Sequence, residues 1–345
     1  MDYLKYKNIL EFVPQDSSTF DIKNELLYNE IYKFLYVLKE TKILISLSGG
    51  VDSMVLLEIM CKIREIDSIE IICCHLNYNN REESIIERNF LKEYCENKNI
   101  ILEIMDFDFK RGSIKRNKYE ELTRNMRYNY YKQLCNKYDA PGVFLAHHND
   151  DVCENIFNNI MRGGREISDL IVLQKENIIL DVVIYRPLLD FNKNTIYDFS
   201  HKYQIPYFLD TTPDWSCRGK MRRQIFPSCE DCYGENYKKA LIKIGNEGEE
   251  LGNIIQTYLI DDLFNSVIFE ENNFKIIYKP CLREKYILRN LLAKITNYLR
   301  IDHIKQKNIE QIIQLFNYDK SRKLCILNNY NTYFDNNILH FYIIK

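Results

Sequence analysis

The run Ser48-Gly49-Gly50-Val51-Asp52-Ser53 sets two glycines and two serines around one carboxylate, a combination suited to holding phosphate. Glycines let the main chain approach an oxyanion closely, and the N–H groups opening a following helix point at it without intrahelical partners. Asp52 would sit in the first helical turn. An acidic side chain aimed at bound phosphates requires a divalent cation between the two, so Asp52 implies Mg²⁺. The run lacks the Gly-Lys-Ser/Thr ending of a Walker A loop. A glycine turn that merely precedes a helix is the competing explanation. The β-branched run Ile43-Leu44-Ile45 before the turn and Met54-Val55-Leu56-Leu57 after it favour the phosphate site.

A second reactive group lies in Leu145–Asn155, which contains His147, His148, Asp150, Asp151 and Glu154. On a helix beginning near His148, Asp151 and Glu154 are three apart and share a face. Two such carboxylates can hold a metal, grip an ammonium group, or raise each other's pKa and accept a proton. Taken alone, the segment reads better as a helix capped by Asp150 with a surface histidine pair; beside a phosphate loop in the same sheet the functional reading is favoured. Arg124 and Arg127 also share a helix face; periodicity supports an ion-pair ladder between Glu120 and Arg124 and a functional role equally. Arg162-Gly163-Gly164-Arg165 ends the histidine helix with a glycine cap, its arginines serving phosphate or the helix dipole. Two basic clusters, Lys110/Arg111/Lys115/Arg116/Lys118 and Arg218/Lys220/Arg222/Arg223, suit either an RNA backbone or solvent.

The elements that must position these groups follow from periodicity. Residues 21–40 read as a helix, followed by the strand and helix of the phosphate loop. Strands are expected at 69–76, 100–105 and 142–146, with helices at 82–98, 119–138 and 147–161. Such alternation defines an α/β fold with a parallel sheet covered on both faces. Ligands of such sheets bind at the carboxyl ends of the strands, and Ser48, His75 and His147 each fall where a strand is expected to end. Beyond about residue 235 the pattern becomes helix 236–265, strand 274–279, helices 282–300 and 305–317, and two strands across 323–344 turning at Asn336-Asn337. The expected organisation is an extension at 1–20, a catalytic domain at 21–235 and a smaller α+β domain at 236–345.

Hydrophobic residues make up 46% of the 345 residues and charged residues 28%, with no apolar stretch able to cross a bilayer, so no membrane partner is expected. The N-terminus has neither a secretory nor a transit-peptide pattern. Eleven cysteines, an odd number in apolar contexts, suit a reducing compartment and point to the cytoplasm. Cys229-Glu230-Asp231-Cys232, with Cys217 nearby, leaves a metal or sulfur-relay role open, although free thiols are the simpler reading. A net charge of −2 does not exclude a nucleic acid, because local clusters set phosphate affinity.

Residues 48–53 resemble the PP-loop of ATP pyrophosphatases, which split ATP between its α- and β-phosphates. With them, His75–Arg81, Glu121, Arg124, Arg127-Tyr128, Leu145–Glu154, Arg162-Gly163-Gly164 and Arg186–Asp190 occur in the order seen in tRNA(Ile)-lysidine synthetases. Arg218–Pro227 resembles the arginine-rich end of that family's catalytic domain. The resemblance spans about residues 40–230. It implies a Rossmann-like PP-loop domain in which ATP adenylylates the wobble cytidine of an isoleucine tRNA and free lysine then displaces AMP. Ser48, Gly49, Gly50 and Ser53 would cradle the phosphates, Asp52 would act through Mg²⁺, and His75 and His147 would serve the nucleotide site. Asp151 and Glu154 would hold lysine and help deprotonate its amine, and Arg124 or Arg127 would steady charge at the adenylate. Arg218, Lys220, Arg222 and Arg223 would approach the tRNA.

The chain departs from the family pattern at Asp210-Thr211-Thr212-Pro213 and Arg218-Gly219, where asparagines are usual. A PP-loop tRNA thiolase, another PP-loop ligase and a non-catalytic nucleotide- or RNA-binding protein are the rival readings. The oligomeric state is left open, a homodimer included.

Overall fold

The computed structural model describes residues 3–15, 20–79, 83–107, 116–162, 172–209, 216–317, 325–327 and 330–344. Arg81, most of the first basic cluster, Gly163–Arg165 and Asp210–Pro213 lie outside the described residues. The chain forms two compact units, one running to Gly245 and the other from Asn246 to Lys345.

The first unit is built on β1 (Lys42–Ser46), β2 (Glu70–Asn77), β3 (Ile101–Asp106) and β4 (Val143–Phe144), with the hairpin β5 (Glu176–Ile179) and β6 (Val182–Tyr185). The strand order is β3-β2-β1-β4-β6-β5. All neighbours are parallel except the antiparallel hairpin at the edge. The unbroken apolar run in β1 has a direct cause: Ile43, Leu44 and Ile45 are fully buried, so both sheet faces are covered. Ile43 and Ile45 join a core with α1 (Leu26–Leu38), α2 (Val51–Arg64), α3 (Glu83–Asn97) and α6 (Lys193–Lys202). Leu44 faces the other way, onto Tyr128, Tyr131 and Leu134 of α4 (Arg116–Tyr138).

This order places the functional loops. After β1 the chain winds outward through β2 and β3, then crosses back through α4 to lay β4 against the opposite side of β1. The loops leaving β1 and β4 therefore part in opposite directions and open a crevice at the strands' carboxyl ends. From β1 the chain enters α2; from β4 it enters α5 (Asn149–Met161). Strand β4 is shorter than its sequence suggests, and His147 lies in the connection to α5 rather than at a strand end. His75 lies within β2, buried.

The turn before α2 depends on Gly49. Its φ is +84°, and a Cβ there would lie 2.0 Å from the Phe208 ring. The Phe208 N–H donates to the Gly49 carbonyl at 2.9 Å, locking ring and turn together. An N-terminal segment backs Phe208: Leu10 bridges it, Leu209 N–H donates to Ile9 O, and Glu11 N–H donates to Tyr207 O. Tyr3, Tyr6 and Leu10 enter the same core as α2.

The second unit carries an antiparallel sheet, order β7-β8-β11-β10-β9, from β7 (Ile268–Glu270), β8 (Asn273–Ile277), β9 (Cys325–Leu327), β10 (Tyr330–Asp335) and β11 (Ile338–Ile343). Buried residues alternate along β10, and that face meets Leu288, Leu291, Ile309 and Ile312 of the neighbouring helices. Asn336 and Asn337 both take positive φ, the tight hairpin turn expected of that pair.

Gly49→Ala should cost about 1–2 kcal/mol from the left-handed backbone alone, and more from overlap with Phe208. In a Phe208→Ala background the same change should cost measurably less in urea unfolding. An equal cost in both backgrounds would show that the ring does not constrain the turn.

Candidate active site

The crevice holds a cavity of about 480 Å³ whose lining includes Ser48, Gly50, Val51 and Asp52 from the turn, and His148, Asp150 and Glu154 from α5. Aromatic rings of Tyr197, Tyr207, Phe208, Phe226 and Tyr237 cover much of the rest. Phosphate loop and acidic helix thus face the same space.

Serine hydroxyls organise the turn. The Gly49 N–H donates to Ser53 Oγ at 3.1 Å, the Gly50 N–H to Ser48 Oγ at 3.3 Å, and Ser53 Oγ donates to Gly50 O at 3.0 Å. Helical geometry leaves the N–H groups of Val51, Asp52 and Ser53 without intrahelical acceptors, since the first such bond is Met54 N to Gly50 O. The buried His75 holds the entry to this turn, its Nδ1–H donating to Leu47 O at 2.9 Å. Burial lowers the His75 pKa, which keeps the ring neutral and suits this role.

Asp52 points across the crevice. Lys193 Nζ stands 2.7 Å from both of its oxygens, and His148 Nε2 lies 3.6 Å from Oδ1. His148 is buried and also faces Asp150 at 3.7 Å and Asp151 at 3.4 Å. Burial alone would lower its pKa, but these three carboxylates together raise it. Asp150 ties in further elements, accepting from the Lys193 backbone N–H and from Lys238 Nζ, each at 2.7 Å. Those contacts, with His148, outweigh burial and hold the Asp150 pKa far below the usual carboxylate range. Burial would raise the Asp151 pKa, but the nearby His148 and Arg218 lower it.

The carboxylates of Asp151 and Glu154 share a face of α5 and meet two arginines. Arg218 Nε lies 2.9 Å from Glu154 Oε2, while Arg222 binds Glu154 through Nε and reaches Asp151 Oδ1 at 3.5 Å through Nη2. Arg222 sits in a π-helical turn (Met221–Ile225) between α7 (Cys217–Lys220) and α8 (Phe226–Tyr233). Two residues expected at a tRNA backbone are therefore held by the two carboxylates expected at lysine. Lys220 and Arg223 are exposed.

His147 does not line the cavity; His148 does. The Nδ1 of His147 accepts from Arg186 Nε at 3.1 Å. Burial, aided by the charges of Arg186, Arg218 and Arg127, lowers its pKa to about 4, although Asp151 opposes the shift. Arg186 is itself buried, donating through Nη1 to Gln174 O at 2.8 Å and Asn177 Oδ1 at 2.7 Å. Arg124 and Arg127 flank the Tyr128 ring at 5.1 and 5.2 Å; Arg124 is exposed, and the Nε of Arg127 is buried with no acceptor among the described residues. Cys217, Cys229 and Cys232 are free thiols, and no three His, Cys, Asp or Glu side chains among the described residues are grouped to hold a metal.

Residues the sequence does not single out include Lys193, Lys238, Tyr207, Phe208 and Tyr237. Long connections bring them to the crevice, and no local spacing marks them. His148 is visible in the sequence beside His147, but only the helix start decides which ring turns inward.

A crevice at a parallel-sheet switch point, with a glycine turn facing an acidic helix, is the ligand site of an α/β fold. The PP-loop domain family model matches residues 21–229, and the chain belongs to that family. It is 26% identical over 311 residues to the tRNA(Ile)-lysidine synthase of Mycoplasma mycoides, covering 89% of this chain and 74% of that one. To the tRNA(Ile)-lysidine synthase of Ureaplasma parvum it is 28% identical, covering 80% and 78%. Among solved structures, a U34-tRNA thiolase from Methanococcus maripaludis superposes with a TM-score of 0.51 at 17% identity, covering 66% of this chain and 78% of that one. That likeness is one of fold.

The lowered His147 pKa has a testable sign. A histidine whose folded pKa lies below its unfolded value of about 6.5 binds fewer protons when folded, so its contribution to stability is present above that value. It is lost as pH falls from about 6.5 toward 4. His148, shifted upward, contributes in the opposite sense. His147→Gln should therefore flatten the fall in unfolding free energy across that window. An unchanged slope would show that His147 is not held neutral.

Proposed function

We infer that this protein carries out the reaction of tRNA(Ile)-lysidine synthases. ATP adenylylates the C2 carbonyl oxygen of the wobble cytidine in an isoleucine tRNA, and pyrophosphate leaves. The ε-amine of free lysine then attacks C2, AMP departs with that oxygen, and lysidine remains. The observation that carries this reading is the convergence of the Asp52 turn with Asp150 and Glu154 of α5 on one cavity, in a chain aligned with lysidine synthases over most of its length.

Ser48, Gly49, Gly50 and Ser53 would receive the phosphates, the serine hydroxyls turning from the amides they now occupy. The N–H groups of Val51–Ser53 and the α2 dipole add to that field. A Mg²⁺ fits here, because this ion is commonly held by one carboxylate plus substrate phosphates, and Asp52 lines the cavity beside the turn. When bound it would offset charge on the polyphosphate. His75 acts by holding the turn. His147, outside the cavity lining and held by Arg186, would serve the nucleotide site by bracing the start of α5 rather than by lining the phosphate space. Arg127, whose buried Nε has no acceptor among the described residues, is a better candidate than Arg124 to steady the adenylate.

The mixed charge at α5 suits free lysine. Lysine presents two ammonium groups and a carboxylate; Asp151 and Glu154 offer acceptors, and Arg218 and Arg222 offer donors. Lysine would take over the carboxylates that the arginines now hold, leaving these cations for its own carboxylate or for tRNA, which Lys220 and Arg223 would also approach. The attacking amine must be neutral, and a carboxylate beside it provides the acceptor for its proton. Eleven free thiols and a tRNA substrate support a cytoplasmic reaction. The second unit would contribute to tRNA binding.

Incubation with ATP, lysine and total tRNA, followed by nucleoside mass spectrometry, should reveal cytidine joined to lysine. Replacement of oxygen by sulfur, or unmodified cytidine, would refute the assignment. Glu154→Gln should raise the lysine KM by about ten-fold, the size expected on losing one charged hydrogen bond, while ATP–pyrophosphate exchange persists. Equal loss of both activities would contradict the lysine-binding role.

A further inference from the structure

Lys193 belongs to none of the motifs that mark the site, yet its ammonium is the cation nearest Asp52 among the described residues. Nζ stands 2.7 Å from each Asp52 oxygen. Both side chains keep about a quarter of their surface open, 23% for Lys193 and 24% for Asp52, so the pair meets the cavity rather than the core. The rest of Lys193 is fixed. It is the first residue of α6, its backbone N–H donates to Asp150 Oδ2 at 2.7 Å, and Asn192 caps the helix through Thr195 N–H at 2.9 Å. Its ammonium also lies 5.0 Å from the centre of the Tyr197 ring.

Packing alone does not require this pair. Helix α6 is already fastened to α5 by the Asp150 bond, and the segment leading into it by Asn149 N–H to Phe191 O at 2.8 Å. It is fastened to the core by the buried Ile196 and Phe199. What the ammonium adds is charge, at the point where a polyphosphate would lie. Asp52 cannot be fully engaged by both Lys193 and a divalent cation. On nucleotide entry the flexible lysine stem lets Nζ move a short way from carboxylate to phosphate oxygen, exchanging one anionic partner for another without becoming unpaired.

We propose that Lys193 is a further active-site residue, neutralising Asp52 in the nucleotide-free protein and binding the pyrophosphate end of ATP once the nucleotide is in place. Asp52 then becomes available to the divalent cation, and the ammonium steadies the charge that accumulates on departing pyrophosphate. This rests on the ATP site described above, but not on the identity of the nucleophile or the modified base.

Calorimetric titration of the full-length protein with inorganic pyrophosphate, and separately with AMP, in the presence of Mg²⁺ tests the assignment. Lys193→Gln should weaken pyrophosphate binding by about ten-fold or more, the size of one charge-assisted contact. It should leave AMP affinity within about two-fold and the melting temperature close to that of the unsubstituted protein. Lys193→Arg should restore most of the pyrophosphate affinity. Unchanged pyrophosphate affinity in Lys193→Gln, equal weakening of both ligands, or no pyrophosphate binding by the unsubstituted protein would overturn the proposal. None of these readouts depends on lysine or tRNA, so a failed lysidine assay and a failed Lys193 assignment are distinguishable.

Discussion

Everything at the crevice depends on opposite charges held across the β1/β4 boundary. The turn ahead of α2 and the first turn of α5 leave neighbouring strands and diverge, and each carries carboxylates. Without cations between them the acidic groups of the two helices would repel one another in a half-buried space. Lys193 spans Asp52 and, through its backbone, Asp150; His148 stands among Asp52, Asp150 and Asp151; Lys238 adds a second ammonium. These contacts neutralise the carboxylates that the turn and the acidic helix present to one cavity in the absence of any ligand. A nucleotide, a divalent cation and an amino acid would enter by exchanging partners within a network already neutralised.

Exchange of partners also explains the arginines. Arg218 and Arg222 pair with Asp151 and Glu154, so each charge in this part of the crevice is matched. Glu154 is buried, and a buried carboxylate stripped of its partner costs several kcal/mol, roughly 3–5 by analogy with other broken buried pairs. On the proposed reaction, an incoming ammonium would replace the arginines in one motion rather than enter after they leave. The π-helical turn carrying Arg222 breaks regular helical register at the place where such a movement would occur.

Much of the first unit is legible in the amino-acid sequence because its physical signals are local. The β-branched run of β1, the glycine turn and the apolar α2 follow one another within a single short segment. The alternation of strands and helices carries the parallel sheet, and with it the position of the crevice. The Asn336-Asn337 turn is legible for the same reason, since two left-handed residues in succession favour that residue type. The edge hairpin β5–β6 and helix α6 are not anticipated. Their segments are short and weakly periodic, and what holds them is contact with β4 and α2.

Within the site, residue types are legible and pairings are not. Asp52, Asp151 and Glu154 are identifiable from spacing, but that Lys193 sits on one and Arg218 and Arg222 on the others depends on chain far away in sequence. His147 and His148 differ by one position, and the start of α5 turns the second ring inward while Arg186 keeps the first. Phe208, which sets the space above Gly49, carries no motif at all. The central claim is that the amides of the Gly49 turn and Asp52 together hold the polyphosphate opposite α5. A crystal structure with Mg²⁺ and an ATP analogue whose α,β-bridge cannot be cleaved tests this most directly. Phosphate oxygens within hydrogen-bond distance of the amides of residues 49–53, with the α-phosphate on the α5 side, are the expected result. Polyphosphate bound elsewhere, with Ser48 and Ser53 still occupying the glycine amides, would contradict it.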